Sequence, residues 1–381
     1  GAVTLGVTRA TEDVAVAWLA QQRRFVQALL IEVEGSAPLP AGAMMLIGER
    51  GEIEGSITGG CVEGAIVTEA EAVLAGERGP GELTYGISDE LAGTVGLMCG
   101  GIVHIFIQEL GGPAGEVERS ALGDHLAGEP TAVATLLDGP SAGARLGIVG
   151  DQAIGSLDRQ ELLDRNVARE SAGLLEEGKT TIRRFGTDGT MLGDELRVHI
   201  RAYAPPPQMV IFGAIDFSAA MAPFASRIGY EVVICEARER FAHSRRFSSD
   251  AEVRIGWPQE LMEGVELGPR DAVLVFTHDP KFDEPALRCA LATNAGYIGA
   301  LGSRHTTAER AARLRAAGVG ESDLARIHAP CGLDIGSRTA EETAISVLAE
   351  IIAVRAQRAA RPLRATNGPI HGRDGAGSIV S

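Results

Sequence analysis

Strand-like and helix-like periodicities alternate along the chain. Between residues 61 and 75, Val62, Ile66, Val73 and Leu74 return to one face at helical spacing, which predicts a helix over about 61–75. The β-branched and aromatic run IVHIFI from Ile102 predicts a largely buried strand, and LRVHIRAY from Leu196 predicts a second. Farther on, the apolar run Met209–Phe212 leads through a glycine turn into a helix, a stop at Gly229 and a strand ending at Glu236. That is the opening βαβ unit of a parallel, Rossmann-type sheet. DAVLVFTHD from Asp271 and AGYIGALGS from Ala295 predict further strands, each ending in the small or polar residues that line ligand sites in such sheets. A long helix with a Thr339–Glu342 capping box closes the pattern, with Ile345, Leu348 and Ile352 on its apolar face.

The first half repeats itself. GSITGGCVEGAIVTEAEAVLAG from Gly55 matches GSLDRQELLDRNVARESAGLLEEG from Gly155, and the register holds to Gly86 and Gly186, an offset of about 100 residues. GAMMLI at Gly42 matches GARLGI at Gly143 with a slip of one, and IVHIFI has its partner in LRVHIRAY. Three consecutive prolines, Pro205–Pro207, make a stiff linker. The expected organisation is an N-terminal domain over 1–204 in two repeats, about 25–110 and 130–204, then a domain over 208–360 and a flexible glycine-rich tail over 361–381.

Composition narrows the function classes. A net charge of −16 argues against a nucleic-acid or anionic-membrane partner, and 4% aromatic residues supply few stacking platforms for bases. No apolar run approaches the length of a membrane span, and the N-terminus lacks a signal-peptide pattern. Five cysteines, an odd number without a CxxC pair, do not form a disulfide framework; the expected compartment is the cytoplasm.

The two repeats differ where chemistry would sit. Gly59, Gly60 and Cys61 stand opposite Arg159, Gln160 and Glu161, and the loop carrying Cys99, Gly100 and Gly101 has no counterpart. A thiol at a helix N-terminus has its thiolate favoured by the helix dipole and suits a soft metal or sulfur transfer. Glycines beside it let backbone amides approach a ligand. The competing reading makes Cys61 a small buried hydrophobe. Structural zinc is short of ligands, since no histidines cluster with these cysteines.

In the second half, Glu236 follows Gly213 by 23 residues, the place of an acid that meets a ribose hydroxyl. Ile215 and Ser218 stand where the dinucleotide fingerprint needs glycine, and Asp216 sets a negative charge at the phosphate position, which argues against ordinary NAD(P) binding. His278 follows one strand end between Thr277 and Asp279, as a ligand contact or a turn residue. Gly302, Ser303 and Arg304 follow another, before a helix with an expected Thr306–Glu309 capping box; they form an anion cradle or simply a capped helix with a surface arginine.

Taken in order, GSAPLPAGAMML, GSITGGCVEGAIV, YGISDE, GLMCGG, THDPKFDEPAL, YIGALGSRHT and GLDIG resemble the XdhC/CoxI family over roughly residues 10–355. The resemblance implies an α/β fold: an α+β N-terminal domain with an internal duplication, plus a Rossmann-like, doubly wound parallel-sheet domain. It implies a maturation factor for a molybdenum hydroxylase of the xanthine dehydrogenase or carbon monoxide dehydrogenase type. Such a factor binds molybdenum cofactor, supports its sulfuration and delivers it to the apo-enzyme, with a cysteine desulfurase as second partner. Cys61 and Cys99 match the family's cysteine loops, Cys61 being the expected metal-contacting thiol. The family's Rossmann turn reads closer to GAGxVA, and GAIDFS here departs from it. An NAD(P)-dependent oxidoreductase and a non-catalytic docking scaffold remain as alternatives, and a homodimer is the expected assembly.

Overall fold

The computed structural model describes residues 7–35, 37–86, 101–158, 160–242 and 250–367. The chain divides at Pro205/Pro206 into two compact units.

The first unit runs α1 (Val7–Ala20), β1 (Phe25–Glu34), β2 (Met44–Gly48), β3 (Ile53–Gly55), α2 (Glu63–Leu74), β4 (Gly81–Tyr85) and β5 (Ile102–Glu109). The same succession follows in α3 (Gly112–Leu126), β6 (Thr131–Leu136), β7 (Arg145–Val149), β8 (Gln152–Gly155), α4 (Glu161–Glu177), β9 (Thr181–Phe185) and β10 (Leu196–Tyr203). The strand orders β3-β2-β1-β5-β4 and β8-β7-β6-β10-β9 are the same, so the duplication seen in sequence is a duplication of topology. It includes a leading helix in each copy, which the apolar pattern did not reveal. Gly55 and Gly155 turn at matching points with φ of 76° and 86°. A Cβ there would lie 2.3 Å from the Met44 carbonyl oxygen and 2.6 Å from that of Arg145, so both turns exclude a side chain.

Each sheet has its own core. Val26, Ala28, Met45, Ile66, Val73 and Ile105 pack β1–β5 against α2, and Ala134, Leu146, Leu163, Val167 and Ile200 do the same for α4 in the second copy. The ladders bear out β5 and β10 as partner strands and set their register. Leu30 pairs with Ile105 and Leu136 with Val198, so His104 corresponds to Arg197, and the shared Val-His-Ile strings lie two residues out of register. His104 and Arg197 both reach Glu82, at 3.0 and 2.8 Å, which ties the copies together.

A buried polar cluster lies among α1, α3 and the strands. The Glu118 carboxylate accepts from Arg145, from Arg201 at 2.6 Å and from Gln27 at 2.8 Å, while Arg145 also donates to Gln27 and Gln108. Burial alone would raise the Glu118 carboxyl; the two guanidinium groups outweigh it and hold it at about 2. Glu12, thirteen residues ahead of β1 as Glu118 is ahead of β6, faces Arg201 and Tyr203, yet burial wins there and pushes its carboxyl up.

The second unit comprises β11 (Gln208–Phe212), α5 (Asp216–Arg227), β12 (Glu231–Glu236), α6 (Glu239–Ala242), β13 (Glu252–Ile255), α7 (Pro258–Leu261), β14 (Ala272–Val275), α8 (Pro280–Leu291), β15 (Tyr297–Ala300), α9 (Arg304–Ala316), α10 (Glu321–Leu324), β16 (Ile327–His328) and α11 (Ala340–Arg355). Its six strands are all parallel, in the order β13-β12-β11-β14-β15-β16, a Rossmann-like sheet. Met221, Ala225, Val347 and Ile351 cover one face and Ala286, Leu287 and Leu314 the other. The Thr339–Glu342 capping box forms as the sequence predicts. The box expected at Thr306–Glu309 does not: α9 starts at Arg304, capped by Ser303, because its hydroxyl reaches the Thr306 amide at 3.1 Å.

Candidate functional site

Two regions hold the residues singled out from sequence, one in each unit. In the first, helix α2 begins at Glu63, so Cys61 stands just ahead of the helix. Gly59 and Gly60 have φ of 76° and 122°, and a Cβ on either would meet nothing within 4 Å. Glycine is required here by backbone curvature rather than by crowding. The curl turns the loop's amides inward onto one side chain that the sequence reading passed over. Glu63 Oε1 accepts from the amides of Ile57 (3.2 Å), Thr58 (2.8 Å) and Gly59 (3.0 Å) and from the Ser56 hydroxyl (2.7 Å). Its Oε2 accepts from the amides of Gly60 (2.9 Å) and Val62 (3.1 Å) and from the Thr58 hydroxyl (2.7 Å). Burial raises this carboxyl, but the converging donors outweigh burial and bring it down to about 2.

The amide nest expected to meet a ligand is therefore committed to an internal carboxylate. What the loop presents is the thiol. The Cys61 amide donates to the Thr58 hydroxyl at 3.1 Å, and the half-buried side chain packs at the edge of the α2 core. The signal for Glu63 was present in GGCVE: an acid in the first turn of a helix, behind two glycines. In the second copy Asp164, one residue later, takes the Leu157 amide at 2.9 Å. Cys99 and Gly100 lie outside the described residues; Gly101 is buried just before β5. Among the described residues no group of three or more His, Cys, Asp or Glu is set to hold a metal.

In the second unit, parallel register brings Gly213, Glu236, Thr277 and Gly302 to the carboxyl edge of the sheet. Gly213 has φ of 110°, and a Cβ would lie 3.1 Å from the Thr277 amide nitrogen, so the strand ends approach closely. Glu236 is fully engaged: it accepts from the Ala214 amide at 2.8 Å and from the amide, Nε and Nη2 of Arg238 at 2.9, 2.9 and 3.1 Å. Burial raises the Glu236 carboxyl, and these donors more than reverse it. The adjoining cavity, lined by Gly213, Glu236, Gly256, Thr277 and Phe282, measures about 10 Å³, one water at most. Beside it the Trp257 ring lies 4.8 Å from Phe282.

His278 is exposed, and its neighbour Asp279 caps α8 by accepting from the Lys281 amide at 3.0 Å. Gly302, with φ of 150°, turns the chain into α9, where Ser303 is the cap and Arg304 is exposed in the first turn. Beneath that turn lies a pair the sequence reading missed: Arg310 Nε donates to Asp283 Oδ2 at 3.0 Å, and both residues are buried. Its signal was an acid at helical spacing with Ala286, Leu287 and Ala290 on the buried face of α8.

No helix among the described residues is long and apolar enough to cross a membrane. A family model described as the XdhC and CoxI family matches residues 18–86, and one described as the XdhC Rossmann domain matches residues 209–351, together more than half of the chain. A Bacillus subtilis protein named as a probable xanthine dehydrogenase subunit is 27% identical over 89% of this chain and 96% of its own length. The molybdenum cofactor insertion chaperone PaoD of Escherichia coli is 26% identical over 90% of this chain and 86% of its own. A crystal structure described as a xanthine dehydrogenase from Bacillus halodurans superposes with a TM-score of 0.63 at 24% identity, covering 93% of this chain and 98% of that one. Parallel Rossmann-like sheet, duplicated α+β unit and both sequence matches agree: the chain belongs to the XdhC and CoxI family.

Proposed function

We propose that this protein is a maturation chaperone that holds molybdenum cofactor and passes it to a molybdenum hydroxylase. The observation that carries the reading is the alignment of nine-tenths of the chain with a relative named for molybdenum cofactor insertion. The Cys61 loop supports it chemically. A soft thiol suits molybdenum or a transferable sulfur, and the seven contacts to Glu63 hold its backbone in one conformation without help from a ligand. Cys61 would contact the metal centre. The loop's amides leave nothing for the cofactor's phosphate, so that group needs another holder. Cofactor sulfuration, with a cysteine desulfurase as sulfur donor, is part of the same proposal, and Cys99 is the second thiol it assigns. A homodimer remains the proposed assembly.

Anaerobic incubation of the purified chain with molybdenum cofactor tests this, with retained molybdenum measured by mass spectrometry after gel filtration. Wild type should retain metal and activate an apo-hydroxylase. Cys61→Ser should fold normally and lose both properties. Full retention and transfer by Cys61→Ser would remove the thiol from the mechanism. The Rossmann-like sheet keeps a nicotinamide-dependent oxidoreductase as the second reading, although Glu236 holds Arg238 and the Ala214 amide in place of a ribose.

A further inference from the structure

We infer that the turn Gly302–Ser303–Arg304 and the first two turns of α9 bind a phosphate ester that carries a hydrogen-bond donor beside its phosphate. α9 is thirteen residues long, so its dipole is well developed at this end. The amides of Gly302, Ser303, Arg304 and His305 have no acceptor among the described residues, in contrast to the loop amides that Glu63 captures. A phosphate is the ligand such a row of amides fits. Arg304, exposed in the first turn and without an ion pair among the described residues, adds a mobile positive charge.

The second observation lies beneath the turn. Arg310 is 3% exposed and reaches back along α9, its Nη2 donating to the Leu301 carbonyl at 3.1 Å, directly before Gly302. Its Nη1 is buried without a partner among the described residues, as are Thr307 Oγ1 and Asp283 Oδ1. A Cβ built on Gly302 would fall 2.7 Å from Thr306 Oγ1 and 3.7 Å from Thr307 Oγ1, so glycine keeps the approach to these hydroxyls open. Three orphaned polar atoms, two on α9 and one on the α8 residue that Arg310 pairs with, are costly unless something meets them. They comprise a donor on Arg310, an acceptor on Asp283 and a hydroxyl that serves as either. Inorganic phosphate offers a donor only as a P–OH on the phosphorus itself, at the cost of an acceptor oxygen for the amides. A sugar-like or pterin-like phosphate ester, with a hydroxyl or N–H next to the phosphate, answers all three. Asp283 is neutralised by Arg310, so the net field at the turn comes from Arg304 and the helix terminus.

This site belongs to the second unit by itself, and it rests on the cofactor-handling reading only for its natural ligand. The test uses the full chain and calorimetric titration with ribose 5-phosphate and with inorganic phosphate. Ribose 5-phosphate should bind saturably and more tightly than inorganic phosphate. Arg304→Gln, at an exposed position, should weaken both by about tenfold. Thr307→Val should erase the preference for the ester while leaving inorganic phosphate binding nearly unchanged. Absence of saturation by about 10 mM ester, a scale at which even millimolar sites fill, would overturn the inference. So would binding indifferent to both substitutions. Neither result depends on molybdenum, so the Cys61 experiment can succeed while this one fails.

Discussion

Replacing Glu118 with Gln should be among the most damaging single changes in the N-terminal unit. Glu118 is completely buried and receives Arg145, Arg201 and Gln27. Glutamine keeps the volume but takes from two buried guanidinium groups the counter-charge they share. Breaking a buried ion pair by removing one partner costs about 3–5 kcal/mol. The carboxyl itself gives a similar figure: held at about 2 rather than its ordinary 4.5, it represents about 3 kcal/mol of differential stabilisation. With a urea slope of about 1–3 kcal/mol per molar, the unfolding midpoint should fall by about 2 M. The chain's two tryptophans separate the units, since Trp18 lies in the first against Phe25 and Trp257 in the second against Phe282. In a Trp257→Phe background, tryptophan emission follows the N-terminal unit alone. The stabilisation from Glu118 is present in full above pH 4.5 and is lost as pH falls from there toward 2, so wild type and Glu118→Gln should converge in acid. A midpoint unchanged at neutral pH, or a difference that grows in acid, would refute this account of the cluster.

Three further outcomes are expected. Glu63→Gln should speed hydrogen exchange of the amides from Ile57 to Val62; in the wild type the same loosening should set in as pH falls from about 4.5 toward 2, because the carboxylate form makes the contacts. If exchange at those amides stays slow in the variant, Glu63 is not what holds the loop. Iodoacetamide near pH 8 should label Cys61 before Cys235 and Cys331, because burial pushes those two thiols up to about 12; equal rates by mass spectrometry would contradict this. NAD(P) should bind weakly, and Arg238→Ala should strengthen it by freeing Glu236. Micromolar NAD(P) affinity in the wild type by calorimetry would reverse that view and promote the oxidoreductase reading.

The repeat and the parallel sheet were legible in the sequence because both rest on local periodicity: β-branched runs, glycine stops, and a matching string about 100 residues on. The Cys61 loop was legible as a place but not as a mechanism. Glycine content told that the backbone curls, whereas the partner of the curled amides, Glu63, is fixed only by three-dimensional convergence. Glu118 and Arg310 were illegible for a related reason. A charged residue on a helix reads as solvent-facing until its counter-charge is known, and here the counter-charges lie 83 and 27 residues away. That IVHIFI and LRVHIRAY are partner strands was legible too, but not their register, which is set by ladder partners and not by the Val-His-Ile string they share.

Glu12 and Glu118 occupy the same point of the repeated unit, yet one carboxyl is pushed up and the other down. Two identical chains related by a two-fold axis have no such freedom: the same acid in each would meet the same neighbours and carry the same average proton. Joining the copies in one polypeptide lifts that constraint. The second copy can then supply the whole charged cluster, Glu118 with Arg145 and Arg201, while the first contributes the neutral Gln27 and a Glu12 whose carboxyl is pushed up. The polarity of the cluster is thus a property that two identical chains could not encode, and it leaves the first copy's Cys61 loop to change its chemistry without altering the charges that the second copy buries.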